Sequence, residues 1–162
     1  GRLSEEKGVR SLLEAASKVK HELRIAGGGP LTDELKAKYA HCPNIKFLGH
    51  LDAKGVASLL SQAKCSVMPS VCYENNPLGV IESLCAGTPV VGANIGGIPE
   101  LISADTGIIF ESGNAEVLAT GIDMAMSRTW HHPEIKTESI NRFSPESHLK
   151  ILANIYSAAT SE

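Results

Sequence analysis

The chain reads as an open α/β domain, a Rossmann-like doubly wound parallel sheet, and three features point there. Short β-rich runs alternate with amphipathic helical patterns along the chain, which implies parallel strands joined by right-handed crossovers. The 162 residues, 43% hydrophobic and 20% charged, suffice for one substantial core of ordinary globular composition. The Gly27-Gly28-Gly29-Pro30 run closes a predicted strand with a tight turn.

Val9, Leu12, Leu13, Ala16 and Val19 recur at helical spacing, with Ser4 as N-cap and Glu5 and Glu6 behind it. Leu23 to Ala26 is the first strand and runs into the glycines. A helix around Leu35 to Tyr39 leads to a second strand at Ile45 to Leu48, and Val56, Leu59, Leu60 and Ala63 mark the next helix. Cys65 to Met68, Pro89 to Ala93 and Gly107 to Phe110 are the third, fourth and fifth strands. A helix opening near Pro77 joins the third to the fourth. Val117, Leu118, Gly121, Ile122 and Ala125 give a further helix, and Trp130 and Ile135 a short packed one. The last starts at Ser144-Pro145, an N-cap followed by an N1 proline, and is expected to bury Leu149, Leu152, Ala153 and Tyr156. No repeat, low-complexity stretch or linker interrupts the chain, so residues 1–162 are expected to form one domain.

Gly1-Arg2-Leu3 looks like the loop that follows a strand, so a first, central strand is expected upstream. The strands above are then the second to the sixth, in the order 3-2-1-4-5-6. Ligands of such sheets bind where the order reverses, beyond the carboxyl ends of the strands. Arg2 and the segment 70–82 lie on the two loops at that point.

A net charge of −3 speaks against a nucleic-acid partner, which calls for a basic stripe. The apolar runs fall well short of the roughly 20 residues that span a bilayer, and no secretory signal pattern opens the chain. Cys42, Cys65, Cys72 and Cys85 form no CxxC pair, and no HExxH or Cys/His cluster occurs. Cys65 and Cys85 are expected to be reduced core thiols. Together these features predict a cytoplasmic protein without a metal site.

The segment from Glu74 to Glu82 carries the chemistry. Pro77 fits the first position of a helix, with Asn76 or Asn75 as N-cap. The unpaired N–H groups at a helix start, together with the dipole, favour an anion by roughly 0.3–1 kcal/mol per charge and up to about 2 when buried. Leu78, Ile81 and Cys85 are expected to share the apolar face, and Gly79, Glu82, Ser83 and Ala86 the opposite one. Gly79 leaves no side chain between Glu82 and the helix entrance. A ligand can therefore lie over Gly79, with a phosphate at the helix start and a ribose hydroxyl on Glu82. Taken alone, Glu74 would be a solvated loop acid and Glu82 a surface glutamate. Beside a phosphate site, carboxylates are useful only if they bind hydroxyls. Arg2 and Lys7, near another helix start, oppose its dipole unless an anion sits between them.

The Glu-x7-Glu spacing, within the run from Ser70 to Val91, resembles the signature of the retaining GT-B glycosyltransferases of family GT4. Gly1-Arg-Leu-Ser-Glu-Glu-Lys-Gly8, Ile25-Ala-Gly-Gly-Gly-Pro30, Asn44-Ile-Lys-Phe-Leu-Gly49 and Gly96-Gly-Ile-Pro-Glu100 resemble further motifs of that family, in order. The likeness runs from Gly1 to about Phe110 and more weakly to Tyr156. It implies one half of a GT-B enzyme, the C-terminal donor-binding domain, whose partner is the acceptor domain of the same polypeptide.

The resemblance also implies roles. Arg2 and Lys7 would bind the donor diphosphate and neutralise the leaving group; Glu74 would contact the transferred sugar and Glu82 the ribose. Asn75, Asn76, Pro77, Leu78 and Gly79 would hold phosphate and sugar through backbone. Gly28, Phe47 and Leu48 would approach the base, also largely through backbone. Gly96 and Gly97 would allow close backbone approach to the cleft and, with Glu100, are candidate acceptor-side positions; Glu100 would contact an acceptor or cap a helix. Catalysis would be electrostatic stabilisation of charge on the diphosphate, with neither cofactor nor metal; the chain contains no Asp-x-Asp pair.

The implied activity is transfer of a hexosyl group from a nucleotide-diphosphate sugar, such as a UDP- or GDP-sugar, to a glycan or lipid-linked acceptor. Peripheral membrane contact would then come through the other domain, and this chain alone would bind donor without turnover. A sugar-nucleotide epimerase of the same architecture and a non-catalytic nucleotide-binding module stay open. None of the six scattered histidines has the setting of a catalytic base.

Overall fold

The computed structural model describes residues 1–159. The chain opens with a short 3-10 turn, Glu5–Lys7, followed by α1 (Val9–Lys18), β1 (Leu23–Ala26), α2 (Thr32–Lys38) and β2 (Ile45–Gly49). Then come α3 (Ala53–Gln62), β3 (Ser66–Met68), α4 (Leu78–Cys85), β4 (Val90–Ala93), α5 (Ile98–Leu101) and β5 (Gly107–Phe110). Three helices close the described chain: α6 (Ala115–Ser127), α7 (His132–Phe143) and α8 (Pro145–Ala159). All strand pairing is parallel. The architecture is α/β with parallel sheets, as the alternating strand and helix patterns predict.

The strands form two sheets where one is expected: β1 pairs with β2, and β3-β4-β5 form the other. Each sheet keeps its expected neighbours, but no described strand bridges β1 and β3, so their facing edges stay unpaired. The Gly1–Leu3 segment runs beside the end of β1 instead. Gly1 donates to the Ala26 carbonyl at 2.5 Å, and the Leu3 N–H to the Gly28 carbonyl at 3.0 Å. The glycine run serves this contact: a β-carbon on Gly29 would stand 2.4 Å from the Leu3 carbonyl oxygen.

The core has two centres, one per sheet. Leu13, Ile25, Leu35 and Ile45 pack over β1-β2; Val80, Leu84, Val91, Leu118 and Trp130 pack around β3-β4-β5. α1 serves both, because Leu12 and Ala15 face the larger core while Val9, Leu13 and Ala16 face the smaller. Burying each such leucine contributes about 1.5–3 kcal/mol, so α1 ties the two sheets together.

Several local expectations are corrected. Ser4 precedes only the 3-10 turn, with its hydroxyl on the Glu6 carboxylate and not on a backbone N–H, and α1 begins after Gly8, whose φ of 65° breaks the helix. Pro77 is the N-cap of α4, not its first residue, and neither Asn75 nor Asn76 caps it. The buried residues of α4 are Val80, Ser83 and Leu84, a helical i, i+3, i+4 set, while Leu78 is 65% exposed. Ser83 tolerates burial because its hydroxyl bonds Ser66 at 2.7 Å and the Thr88 carbonyl at 3.0 Å. Cys85 is only half-buried, on the flank of that set. α7 is a full helix of 12 residues, not a short one. α8 starts as expected, with the Ser144 hydroxyl accepting from the Ser147 N–H at 3.1 Å. It buries none of its residues, however: Leu149 and Tyr156 are exposed. Among the described residues no helix is long and apolar enough to cross a membrane.

Candidate functional site

The site lies where the loop after β3 meets the turn that opens the chain. The loop 69–77 leads into α4, and three backbone contacts fix its course. The Val71 N–H donates to the Glu6 carbonyl at 3.0 Å, and the Gly97 N–H to the Glu74 carbonyl at 2.7 Å. The Ser112 hydroxyl, beyond β5, donates to the Ser70 carbonyl at 3.0 Å. Gly8 makes the first contact possible, since a β-carbon there would stand 1.8 Å from the Pro69 carbonyl oxygen.

This packing brings Lys7 and Glu74 together across 67 positions of sequence, Nζ to Oε1 at 2.5 Å. The Ser70 hydroxyl donates to the same Oε1 at 2.9 Å. Glu74 is 17% exposed at its side chain, and the hydrogen bond from Lys7, ahead of that from Ser70, holds its carboxyl below the usual carboxylate range. The bond to Glu74 in turn raises the Lys7 ammonium, against the opposing effect of burial. Both groups are therefore charged at neutral pH. One ammonium N–H serves Glu74, which leaves two for another acceptor. Glu74 Oε2 accepts no hydrogen bond among the described residues and is not fully buried.

α4 begins four residues after Glu74 with its start uncapped by any side chain, so the N–H groups of Leu78 and Gly79 lack intrahelical partners. A β-carbon on Gly79 would stand 2.8 Å from Met68 Cε, so its bareness also makes room for a side chain of β3. Glu82 is exposed on the same helix. Arg2 is exposed as well and forms no ion pair among the described residues. Burial lowers the Gly1 amino group, and the charges of Glu82 and Lys7 both act on it, which puts the start of the chain near both residues.

Gly28 and Leu48 are exposed and Phe47 is half-buried against the smaller core. Gly96 and Gly97 abut the backbone of Tyr73–Asn75. Glu100 lies in the first turn of α5, whose N-cap position is Gly97. Asn75 and Asn76 are exposed on the loop and Pro77 is buried at its end.

Sequence reading missed Ser70, which is fully buried and orients Glu74. A buried serine four residues before a loop carboxylate carries no periodic signal. Two cavities lie elsewhere. One of about 480 Å³ is lined by Glu14 and residues 111–116, and one of about 230 Å³ by residues 61–64, 86–88 and His132. Neither is lined by Lys7, Glu74 or Glu82. No cluster of three His, Cys, Asp or Glu side chains among the described residues could hold a metal ion.

Residues 1–128 match the family described as glycosyl transferases group 1. The chain is 30% identical to an uncharacterized glycosyltransferase of Methanocaldococcus jannaschii, over 98% of this chain and 44% of that protein. It is 38% identical to a glycogen synthase of Mycobacterium tuberculosis, over 67% of this chain and 28% of that protein. In fold it is similar to Anabaena HepE solved in complex with UDP, with a TM-score of 0.83 and 21% identity over 98% of this chain and 47% of that one. The chain thus spans less than half the length of these proteins.

Proposed function

This chain belongs to the group 1 glycosyltransferases, and from that premise we propose that it is the donor-binding half of a retaining enzyme that transfers a hexosyl group from a nucleotide-diphosphate sugar to a glycan or lipid-linked acceptor. The observation that carries the reading is the Lys7–Glu74 pair beside the uncapped start of α4. Lys7 keeps two N–H groups for phosphate oxygens while it steadies Glu74. Glu74 keeps Oε2 for a hydroxyl of the transferred sugar. Arg2 adds a second cation, and the Leu78 and Gly79 N–H groups add donors. Glu82, at the exposed face of the same helix, takes the ribose.

As the bond from the anomeric carbon to the diphosphate oxygen breaks, negative charge grows on the leaving diphosphate. Arg2, Lys7 and the helix start are preorganised to stabilise it. Transfer then needs an acceptor held against the anomeric carbon. In this reading the acceptor side belongs to the remainder of the polypeptide, and the edges of β1 and β3 take a strand from it. That HepE, similar in fold, binds UDP supports the diphosphate assignment.

Calorimetric titration with a panel of UDP-, GDP- and ADP-sugars tests the proposal. Saturable binding of at least one, without transfer to an added acceptor, is expected. Absence of binding across the panel would refute the reading, and turnover by the chain alone would refute the division of labour.

A further inference from the structure

Three glycines press on one loop. Gly8 comes from the turn before α1, Gly96 and Gly97 from the turn after β4, and each abuts the backbone of the loop 69–76. A β-carbon on Gly8 would stand 1.8 Å from the Pro69 carbonyl oxygen. On Gly96 it would stand 2.6 Å from the Glu74 carbonyl oxygen and 2.7 Å from the Glu74 nitrogen, and on Gly97 2.4 Å from the Asn75 carbonyl oxygen. In each case the atom met is backbone, which cannot swing aside as the tip of a side chain can. The Gly97 N–H adds its 2.7 Å hydrogen bond to the Glu74 carbonyl. Apolar packing adds little around Glu74: Tyr73 is 87% exposed, and Asn75 and Asn76 face solvent. A loop with so few apolar contacts would otherwise open readily.

Resting on the donor-site reading above, we propose that Gly96 and Gly97, with Gly8, are positioning residues that clamp the backbone of Tyr73–Asn75 and so hold the Glu74 carboxylate in one place for the transferred sugar. They act through Glu74, because their α-carbons meet the loop itself. Such a clamp answers a geometric need, since a productive site tolerates displacements of only about 0.5 Å. Glycine supplies it by letting two backbones approach more closely than any side chain allows.

Two substitutions separate collision from backbone strain. Gly97 has φ −80°, which alanine adopts freely, so Gly97→Ala adds a collision alone. Gly113 has φ +78° with nothing within 4 Å of its β-position, so Gly113→Ala adds strain alone. The readouts are the Glu74 carboxyl titration by carbon NMR, assigned with Glu74→Gln, and calorimetry with the UDP-, GDP- and ADP-sugar panel.

Gly97→Ala is expected to shift the Glu74 midpoint up toward the ordinary value of about 4.3 as the carboxylate leaves Lys7. It should also weaken donor binding by about tenfold or more, the scale of one hydrogen bond to a charged group. Gly113→Ala should change neither. An unshifted Glu74 midpoint in folded Gly97→Ala overturns the clamp, whatever happens to binding. If that variant is too unstable to titrate, amide exchange of the parent decides. Protection of the Gly97 N–H comparable to that of β4 supports the clamp, and exchange at the rate of an open loop overturns it. A parent chain that binds no nucleotide sugar defeats the donor-site reading, and the Glu74 titration still judges the clamp.

Discussion

Glu74 and Glu82 belong to one short segment yet stand in opposite situations. Glu74 sits on a loop, largely enclosed, bonded to Lys7 and Ser70, with its backbone held by Gly97. Glu82 sits on α4, exposed, and its carboxylate forms no ion pair with the described residues. A helix fixes where its side chains point, so an acid on α4 needs no further support. A loop does not, so the acid there is fixed by a cation, a hydroxyl and three glycines. The difference teaches that the Glu74 side of the site is built before any ligand arrives, while the Glu82 side is only presented.

The largest effect is expected from Arg2→Ala combined with Lys7→Ala, which removes both cations from the built side. Donor affinity should fall by on the order of 100-fold or more, since charge-assisted contacts are the strong ones. Calorimetry reads it directly.

Lys7→Met alone sharpens the comparison through pH. Glu74 has its pKa lowered in the folded chain, so its contribution to stability is present above the unfolded value of about 4.3 and lost as pH falls through the folded value. Lys7 is raised, so its contribution is present below about 10.4 and lost as pH rises through the folded value. Between these limits the pair stands intact. In Lys7→Met the acid-side loss attributable to Glu74 should shrink, as read by urea unfolding across pH 2–6.

The smallest effect belongs to Glu82→Gln. Donor affinity should drop by about tenfold or less, with stability within about 0.5 kcal/mol of the parent. A stability loss equal to that of Glu74→Gln would erase the distinction between the two acids.

Much of the frame was legible in the sequence. The helical spacing of Leu12, Leu13 and Ala16 and of Leu118, Ile122 and Ala125 located α1 and α6, because periodicity records which face is buried. The β-rich runs located all five described strands. What failed depended on partners that periodicity does not name. The pattern at Leu149 and Tyr156 marks an apolar face of α8 but not what covers it. On α4, Leu78 and Cys85 look as apolar as Val80 and Leu84, and only packing against β3 and β4 decides between them.

The candidate site divides in the same way. Lys7, Glu74, Gly79 and Glu82 were each singled out by position. Their pairing was not legible, because a contact spanning 67 residues leaves no local trace. Ser70 and Gly8 went unassigned for the same reason: both act through neighbours distant in sequence.

The most direct test is a backbone NMR titration of the chain with UDP, GDP and ADP. The account predicts saturable shifts at Lys7, Leu78 and Gly79 with at least one of them, joined by Arg2. Shifts confined to Glu14 and residues 111–116, where the larger cavity lies, with Lys7, Leu78 and Gly79 unmoved, would contradict it.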